Sequence, residues 1–367
     1  MNSVTRIPRP HPASMPPRTE TRDRAAVTPT DRSHPAPRRV RMEEVARVAG
    51  VSPATVSRAL KSPETVSERL RARVQEAAAR LGYAPNRIAG SLAGARTPLV
   101  GVIVPSLTNS FFAATLDRMT TILEAEGYQL LIGQHAYDAA REERIATAFC
   151  SWNPSALVIT GRDHTRGTVG LLSAAPCPVV EMWDHDDRPL DTGIGFSNRE
   201  AGRLAGRYFA EQGFDKVAYV GAILGQDARA RARSQGFAEQ VRHLAGQDPL
   251  IADAKSRELG EGAAALRQIL QRQPDTRAIA FSGDMLAVGA MFEAARMGLR
   301  IPQDLAILGY GDLDIAAHTN PPLSTIRPPH DEIGAAVARH ILHRLAVPEA
   351  QSENVDLGVR LIRRLSA

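Results

Sequence analysis

The stretch GVSPATVSRAL, residues 50–60, sets Ser52, Pro53, Ala54, Thr55, Ser57 and Arg58 close together. These residue types suit contact chemistry rather than bond-making. Small side chains let a backbone approach base edges closely. An arginine such as Arg58 can donate two parallel hydrogen bonds to guanine O6 and N7, worth about 1–3 kcal/mol of discrimination. Thr55, Ser57 and the N-terminus of a helix suit phosphate oxygens, which position without specifying. Nothing comparable points to catalysis. His135, His164, His185 and His318 are scattered and lack metal-ligand spacing. GAILGQDARA has no phosphate-loop lysine, GVIVPSL has no dinucleotide glycine pattern, and DHDD at 184–187 reads as a solvated loop. No catalytic residue, cofactor or metal is expected, so the chain is not read as an enzyme.

The elements that position Arg58 can be read from spacing. In MEEVARVAG, Met42, Val45, Ala46 and Ala49 fall at intervals of three and four, and Gly50 stops the helix. Ser52 then caps a second helix with Pro53 in its first turn, and Val56 and Leu60 face inward. Lys61-Ser62-Pro63 breaks it. Ser67 caps a third helix with an apolar stripe of Leu70, Val74, Ala77, Ala78 and Leu81, closed by Gly82. Two short helices joined by a tight glycine turn predict a helix-turn-helix, whose second helix enters the major groove. APNRIAGSLAG, which follows, is rich in small residues and marginal as an isolated helix.

From Thr97 the texture changes. LVGVIVP, YQLLIG, ALVITG and PVVEM read as strands separated by helical sequence, with Phe112, Leu116, Met119 and Leu123 on one helix face. The pattern restarts with a helix carrying Ala201, Leu204, Ala205 and Tyr208, then KVAYVG, a helix at about 229–244, AIAFSG, a helix with Met285, Val288 and Phe292, and LAILGYG. Recurrent β-α units predict an α/β fold with two doubly wound parallel-sheet subdomains behind the all-α headpiece. LSTIRPP and DLGVRLIRR bracket a helix with Ile333, Val337 and Ile341, and look like chain crossing between the halves. The expected boundaries are a disordered basic extension at 1–38, a headpiece at 39–84, a linker at 85–97 and a core at 98–367. Within the core, an N-subdomain is expected at about 98–195 plus 324–345, and a C-subdomain at about 196–323 plus 346–367.

Composition fits this division. The 367 residues carry a formal net charge of +5, with arginine concentrated in the first hundred. A basic end on a near-balanced body suggests an anionic polymer as partner. Cys150 and Cys177 form no disulfide framework, no apolar run suits a membrane span, and the N-terminus lacks a secretory pattern; the protein is expected to be cytoplasmic.

VARVAGVSPATVSRAL followed by VSERLRARVQEAAARLGYAPNRIAGSLAG resembles the DNA-binding headpiece and hinge of the lactose-repressor family, the LacI/GalR-type regulators. The β-α body resembles that family's periplasmic-binding-protein-like core. The resemblance runs from Val40 to the C-terminus. It implies a homodimeric, ligand-controlled transcriptional repressor on a near-palindromic operator. It also implies a hinge that becomes helical in the minor groove, where Leu92 wedges between base pairs and Asn86, Arg87 and Ala89 meet backbone or groove. Leu92 as a buried linker leucine stays open. One departure is Arg41, which stands where the first helix usually has a Ser or Thr cap and which can reach a phosphate.

In this family a small molecule sits between the subdomains. Position by position, the resemblance assigns Phe111, Phe112, Trp183, Arg233 and Asp284 to that cleft. In GYGDLDIA, Gly311 occupies the slot where many members have an aspartate, and Asp312, which follows, is assigned to the cleft as the sixth residue. Losing a carboxylate while keeping Arg233 favours an anion. GYGDLDIA and DTGIGFSNREAG also resemble the gluconate-operon branch, which implies a sugar acid such as gluconate with Arg233 on its carboxylate. Arg233 as a surface ion pair, Phe112 and Trp183 as core, and Asp284 as a helix cap stay open. So do a transport solute-binding protein and an effector that is a neutral sugar or nucleobase.

Overall fold

The computed structural model describes residues 40–83, 97–185, 188–347 and 349–367. The expected extension at 1–38 and the hinge assignments to Asn86, Arg87, Ala89 and Leu92 lie outside the described residues. The chain divides into two units, 1–86 and 87–367, each with its own core.

The first unit is a three-helix headpiece. Helices α1 (Met42–Ala49), α2 (Pro53–Lys61) and α3 (Glu68–Leu81) bury Val45, Ala46, Ala49, Val56, Ala59, Val74, Ala77 and Ala78, with Met42, Leu60, Leu70 and Leu81 packed around them. Gly50 ends α1 at φ 61°, and the Val51 N–H reaches back to the Ala46 carbonyl at 3.0 Å. A left-handed residue is needed there, and glycine adopts that conformation without a Cβ penalty. The break after α2 is a single 3-10 turn, Pro63–Thr65. Ser67 sits at the start of α3 as expected, but its side chain makes no capping bond.

The second unit begins with β1 (Thr97–Val104), α4 (Ser110–Ala125), β2 (Gln129–Gln134), α5 (Ala139–Ser151), β3 (Pro154–Thr160), α6 (Arg166–Ser173), β4 (Val179–Met182) and β5 (Thr192–Gly195). It continues through α7 (Asn198–Glu211), β6 (Val217–Ala222), α8 (Ala228–Ala245), β7 (Leu250–Ala254), α9 (Leu259–Arg272), β8 (Ala278–Phe281), α10 (Asp284–Arg296) and β9 (Ala306–Tyr310). It closes with α11 (Asp314–His318), β10 (Ser324–Arg327), α12 (His330–Ala346), β11 (Asn354–Asp356) and β12 (Arg360–Ile362). Among the described residues these strands form two six-stranded sheets, ordered β11-β5-β4-β3-β1-β2 and β12-β10-β9-β8-β6-β7. Every pairing is parallel except β10 with β12. Both-face burial explains the unbroken apolar runs of β1, β3 and β9.

The crossings differ from expectation. Strand β10 belongs to the second sheet, so residues 324–327 are not N-subdomain. The tail is split: β11 joins the first sheet beside β5, and β12 joins the second. Pro328 and Pro329 end β10, because proline cannot extend the ladder, and the chain crosses there before α12. Among the described residues, no helix is long and apolar enough to cross a membrane.

In each sheet the first strand lies between the second and third, so β1 and β6 are the strands at which winding reverses direction. A crevice opens beyond the carboxyl ends of strands at such a point. The helix pair α7–α8 sets one wall. A Cβ on Gly202 would lie 1.9 Å from the Arg233 carbonyl oxygen, and one on Gly236 2.0 Å from that of Arg199. The two backbones therefore touch, and this contact fixes where α8 presents its side chains.

Candidate functional site

In the headpiece, the Ser52 hydroxyl accepts the Thr55 N–H at 3.1 Å and lies 2.8 Å from the Thr55 hydroxyl. Pro53 begins α2, so the helix is capped and its first turn is fixed. Pro53, Ala54 and Arg58 are exposed, and Thr55 and Ser57 are half-buried, while Val56 and Ala59 anchor the opposite face. The structure thus brings Ser52, Pro53, Ala54, Thr55, Ser57 and Arg58 to one end and side of one short helix. Arg41 occupies the first cap of α1 without a side-chain capping bond. Glu44 compensates, its carboxylate accepting the Arg41 N–H at 3.3 Å.

In the core, a cleft of about 560 Å³ opens at the carboxyl ends of strands from both sheets. Five of the six residues assigned to it line it: Phe111, Phe112, Trp183, Arg233 and Asp284. Phe111 and Phe112 open α4, where the Asn109 side chain accepts the Phe111 N–H at 3.2 Å. Trp183 packs on Phe112 with centroids 5.0 Å apart, and Phe111 meets Tyr310 edge-on at 6.0 Å. Trp183 holds φ 68°, a left-handed conformation that costs energy for a bulky residue and clusters at functional sites. Its carbonyl accepts the Asn198 side chain at 3.1 Å, and its buried indole N–H has no partner among the described residues.

The charged lining mixes Arg229, Arg233, Arg257 and Lys255 with Asp227, Glu258 and Asp284. Arg233 donates to Asn198 at 2.5 Å and lies over the Tyr310 ring, 4.1 Å from its centroid. Arg229 lies 5.3 Å from the Phe112 centroid, and Arg257 donates to Asp227 at 2.6 Å and stacks over Tyr137 at 4.4 Å. Burial alone would raise the Asp227 pKa, but Arg229, Arg233 and Arg257 hold it below the usual carboxylate range. Asp284 is the opposite case. Burial pushes its pKa up to about 6, against hydrogen bonds from the Thr325 hydroxyl at 2.6 Å and the Leu313 N–H at 2.7 Å. It therefore ties α10, β10 and the loop after β9 together besides lining the cleft. Burial likewise raises the Tyr310 pKa to about 12, keeping that phenol neutral.

Asp312 does not join the cleft lining. At φ 52° its buried carboxylate turns away and pairs with Arg364 at 2.7 Å and Arg327 at 2.5 Å. Its carboxylate is thus already engaged by these two arginines. Nor does the Gly311 slot stay open: the Phe111 ring fills it. A Cβ at Gly311 would fall 2.1 Å from that ring, and φ 133° there also favours glycine. Arg229 was legible and missed, because RARAR spaces it four residues from Arg233 on one helix face. Tyr137, Asp227 and Arg257 come from three separate loops and carry no local signal. Two of the four histidines, His135 and His164, come together, while His185 and His318 stand elsewhere. His164 Nδ1 lies 2.7 Å from Glu142, and His135 and Glu181 border the same carboxylate–imidazole group at 3.7 Å. Among the described residues, no group of three or more ligands could hold a metal ion.

Comparison with known proteins converges on one assignment. Residues 41–86 match the family "Bacterial regulatory proteins, lacI family", and residues 207–367 match a "Periplasmic binding protein-like domain". The chain is 35% identical to the HTH-type transcriptional regulator GntR of Pseudomonas aeruginosa over 343 residues, covering 93% of this chain and 99% of that protein. It is 35% identical to GntR of Escherichia coli over 87% of this chain and 96% of that one. A crystal structure of a LacI-family transcriptional regulator from Silicibacter pomeroyi superimposes with a TM-score of 0.84 at 33% identity, covering 89% of this chain and 99% of that chain. The headpiece, the two-sheet core and these relatives together show that the chain belongs to the lacI family of bacterial regulatory proteins, as a ligand-responsive, DNA-binding transcriptional repressor and not an enzyme.

Proposed function

We propose that the effector is a sugar acid such as gluconate and that its binding releases the repressor from its operator. The observation that carries this is the buried arginine in the cleft. The Arg233 Nε has no hydrogen-bond partner among the described residues, inside a cleft walled by aromatic rings. A buried guanidinium with an unused donor is costly, and a carboxylate supplies the missing acceptor. The aromatic walls suit the C–H faces of an extended polyol. Two relatives are regulators named GntR, and the resemblance of GYGDLDIA and DTGIGFSNREAG to the gluconate-operon branch supports the same choice. Binding to the native state raises stability by mass action. Gluconate at 100 times its Kd should add about 2.7 kcal/mol to unfolding stability and lower operator affinity. Full-length protein that shows neither a melting shift nor operator release with gluconate would refute the assignment.

On the DNA side, Arg58 reads a guanine, and Ser52, Pro53, Ala54, Thr55 and Ser57 let the α2 terminus meet phosphate and base edges. Arg41 contacts backbone phosphate. The capped, solvent-facing start of α2 supports this reading.

A further inference from the structure

Three buried or half-buried guanidinium groups, Arg229, Arg233 and Arg257, surround the single carboxylate of Asp227, and that carboxylate is already occupied. Its Oδ1 accepts the backbone N–H groups of Arg229 and Ala230 at 3.1 and 3.3 Å, and its Oδ2 accepts Arg257 at 2.6 Å. Arg229 is left with a Nε–Oδ1 distance of 3.6 Å, longer than a hydrogen bond. Its Nη1 is buried without a partner among the described residues, as is the Nε of Arg233. Both residues are buried, at 9% and 8% exposure, and the Arg229 side chain is 11% exposed. They stand one turn apart on the same face of α8, with Cβ atoms about 5–6 Å apart by helix geometry. Arg229 also reaches across the cleft, lying over Phe112 of α4.

We propose that Arg229 and Arg233 form a two-guanidinium clamp for one carboxylate, and that Arg229 sets the preference for an acid over the neutral polyol of the same length. This rests on the sugar-acid reading above and adds a second residue and a selectivity rule to it. Arg229 and Arg233 each keep a buried donor without a partner among the described residues, which costs free energy, and Asp227 neutralises only part of the charge they share with Arg257. A carboxylate between them accepts from both and offsets that cost. A hydroxymethyl group in the same place offers one weaker acceptor and no charge.

The test is calorimetric titration of the full-length protein with gluconate and with sorbitol, in wild type, Arg229→Gln and Arg229→Lys. Wild type should favour gluconate. Arg229→Gln should lose about 10- to 100-fold in gluconate affinity, the range of a charged hydrogen bond, with sorbitol affinity little changed. Arg229→Lys keeps the charge but not the planar fork and should fall between. The ratio of gluconate to sorbitol affinity is the readout that a purely structural arginine would not move: loss of Arg229 merely as a partner of Asp227, 3.6 Å away, would lower the ligand-free melting temperature and both affinities together. If wild type binds gluconate and both variants match it, the clamp is wrong and the sugar-acid reading stands. If wild type ignores gluconate, the sugar-acid reading fails and takes the clamp with it.

Discussion

At the scale of single residues, the cleft is defined by groups whose burial and charge disagree. Asp284 is the clearest. Its pKa in the folded protein is about 6, above the ordinary 3.8, so the folded state holds the proton more tightly. Its contribution is therefore fully favourable below about pH 4 and is lost as pH rises through about 6, a span on the order of 3 kcal/mol. Asp284→Asn should flatten the fall in melting temperature between pH 4 and 6; an unchanged profile would contradict a raised pKa. His135 works in the other direction, since burial lowers its pKa and costs stability as pH falls below 6.5. In the headpiece, Arg58→Ala should relax base preference at one operator position with a loss of about 1–3 kcal/mol. Equal losses across all base variants, measured by binding to an operator library, would remove Arg58 from base reading. Residue identity was partly visible in the sequence. Arg233 stood out within RARARSQGF, and Phe111 and Phe112 within SLTNSFF. Asp312 misled because its partners, Arg327 and Arg364, come from strands that only the fold brings near.

At the scale of elements, the α7–α8 contact decides where the arginine pair sits. Gly236→Ala would drive a methyl group into a backbone carbonyl that has no room to retreat. Overpacking of this kind typically costs about 1–3 kcal/mol. The melting temperature should drop, and gluconate affinity should drop with it, because α8 carries both arginines. Ion pairs of Glu239 with Arg199 and Arg203 join the same helices at the rim, but they are partly exposed and contribute little. Loss of stability with unchanged affinity would show that α8 placement is not set by this contact. Long periodic helices and apolar strands were legible because each carries many repeats of its period. Strands such as β5 and β11, four and three residues long, were not, since so few residues display no alternation. The split of the tail between two sheets is a tertiary choice invisible to any local window.

At the scale of the whole molecule, the two units should answer salt differently. Arg41, Arg47, Arg58, Arg69, Arg73 and Arg80 are exposed on the headpiece, where phosphate contacts release counterions. If six to ten phosphates are met, operator affinity should fall about 10³- to 10⁵-fold between 50 and 200 mM salt. Gluconate affinity should change far less over the same range, because Arg229 and Arg233 are buried and weakly screened. Parallel titrations across salt would separate the two behaviours, and equal slopes would place effector binding on an exposed surface instead. The division into a basic reading unit and a sensing unit was written in charge distribution and texture; the pairing of particular side chains across the cleft was not.

The sequence holds two tryptophans. One, Trp152, is half in solvent at the end of α5, whereas Trp183 stands in the cleft with its indole N–H unpaired among the described residues. Ultraviolet emission from this repressor thus carries a built-in gauge of occupancy: a steady contribution from Trp152, and one from Trp183 whose colour and brightness shift when a guest arrives, with no dye attached.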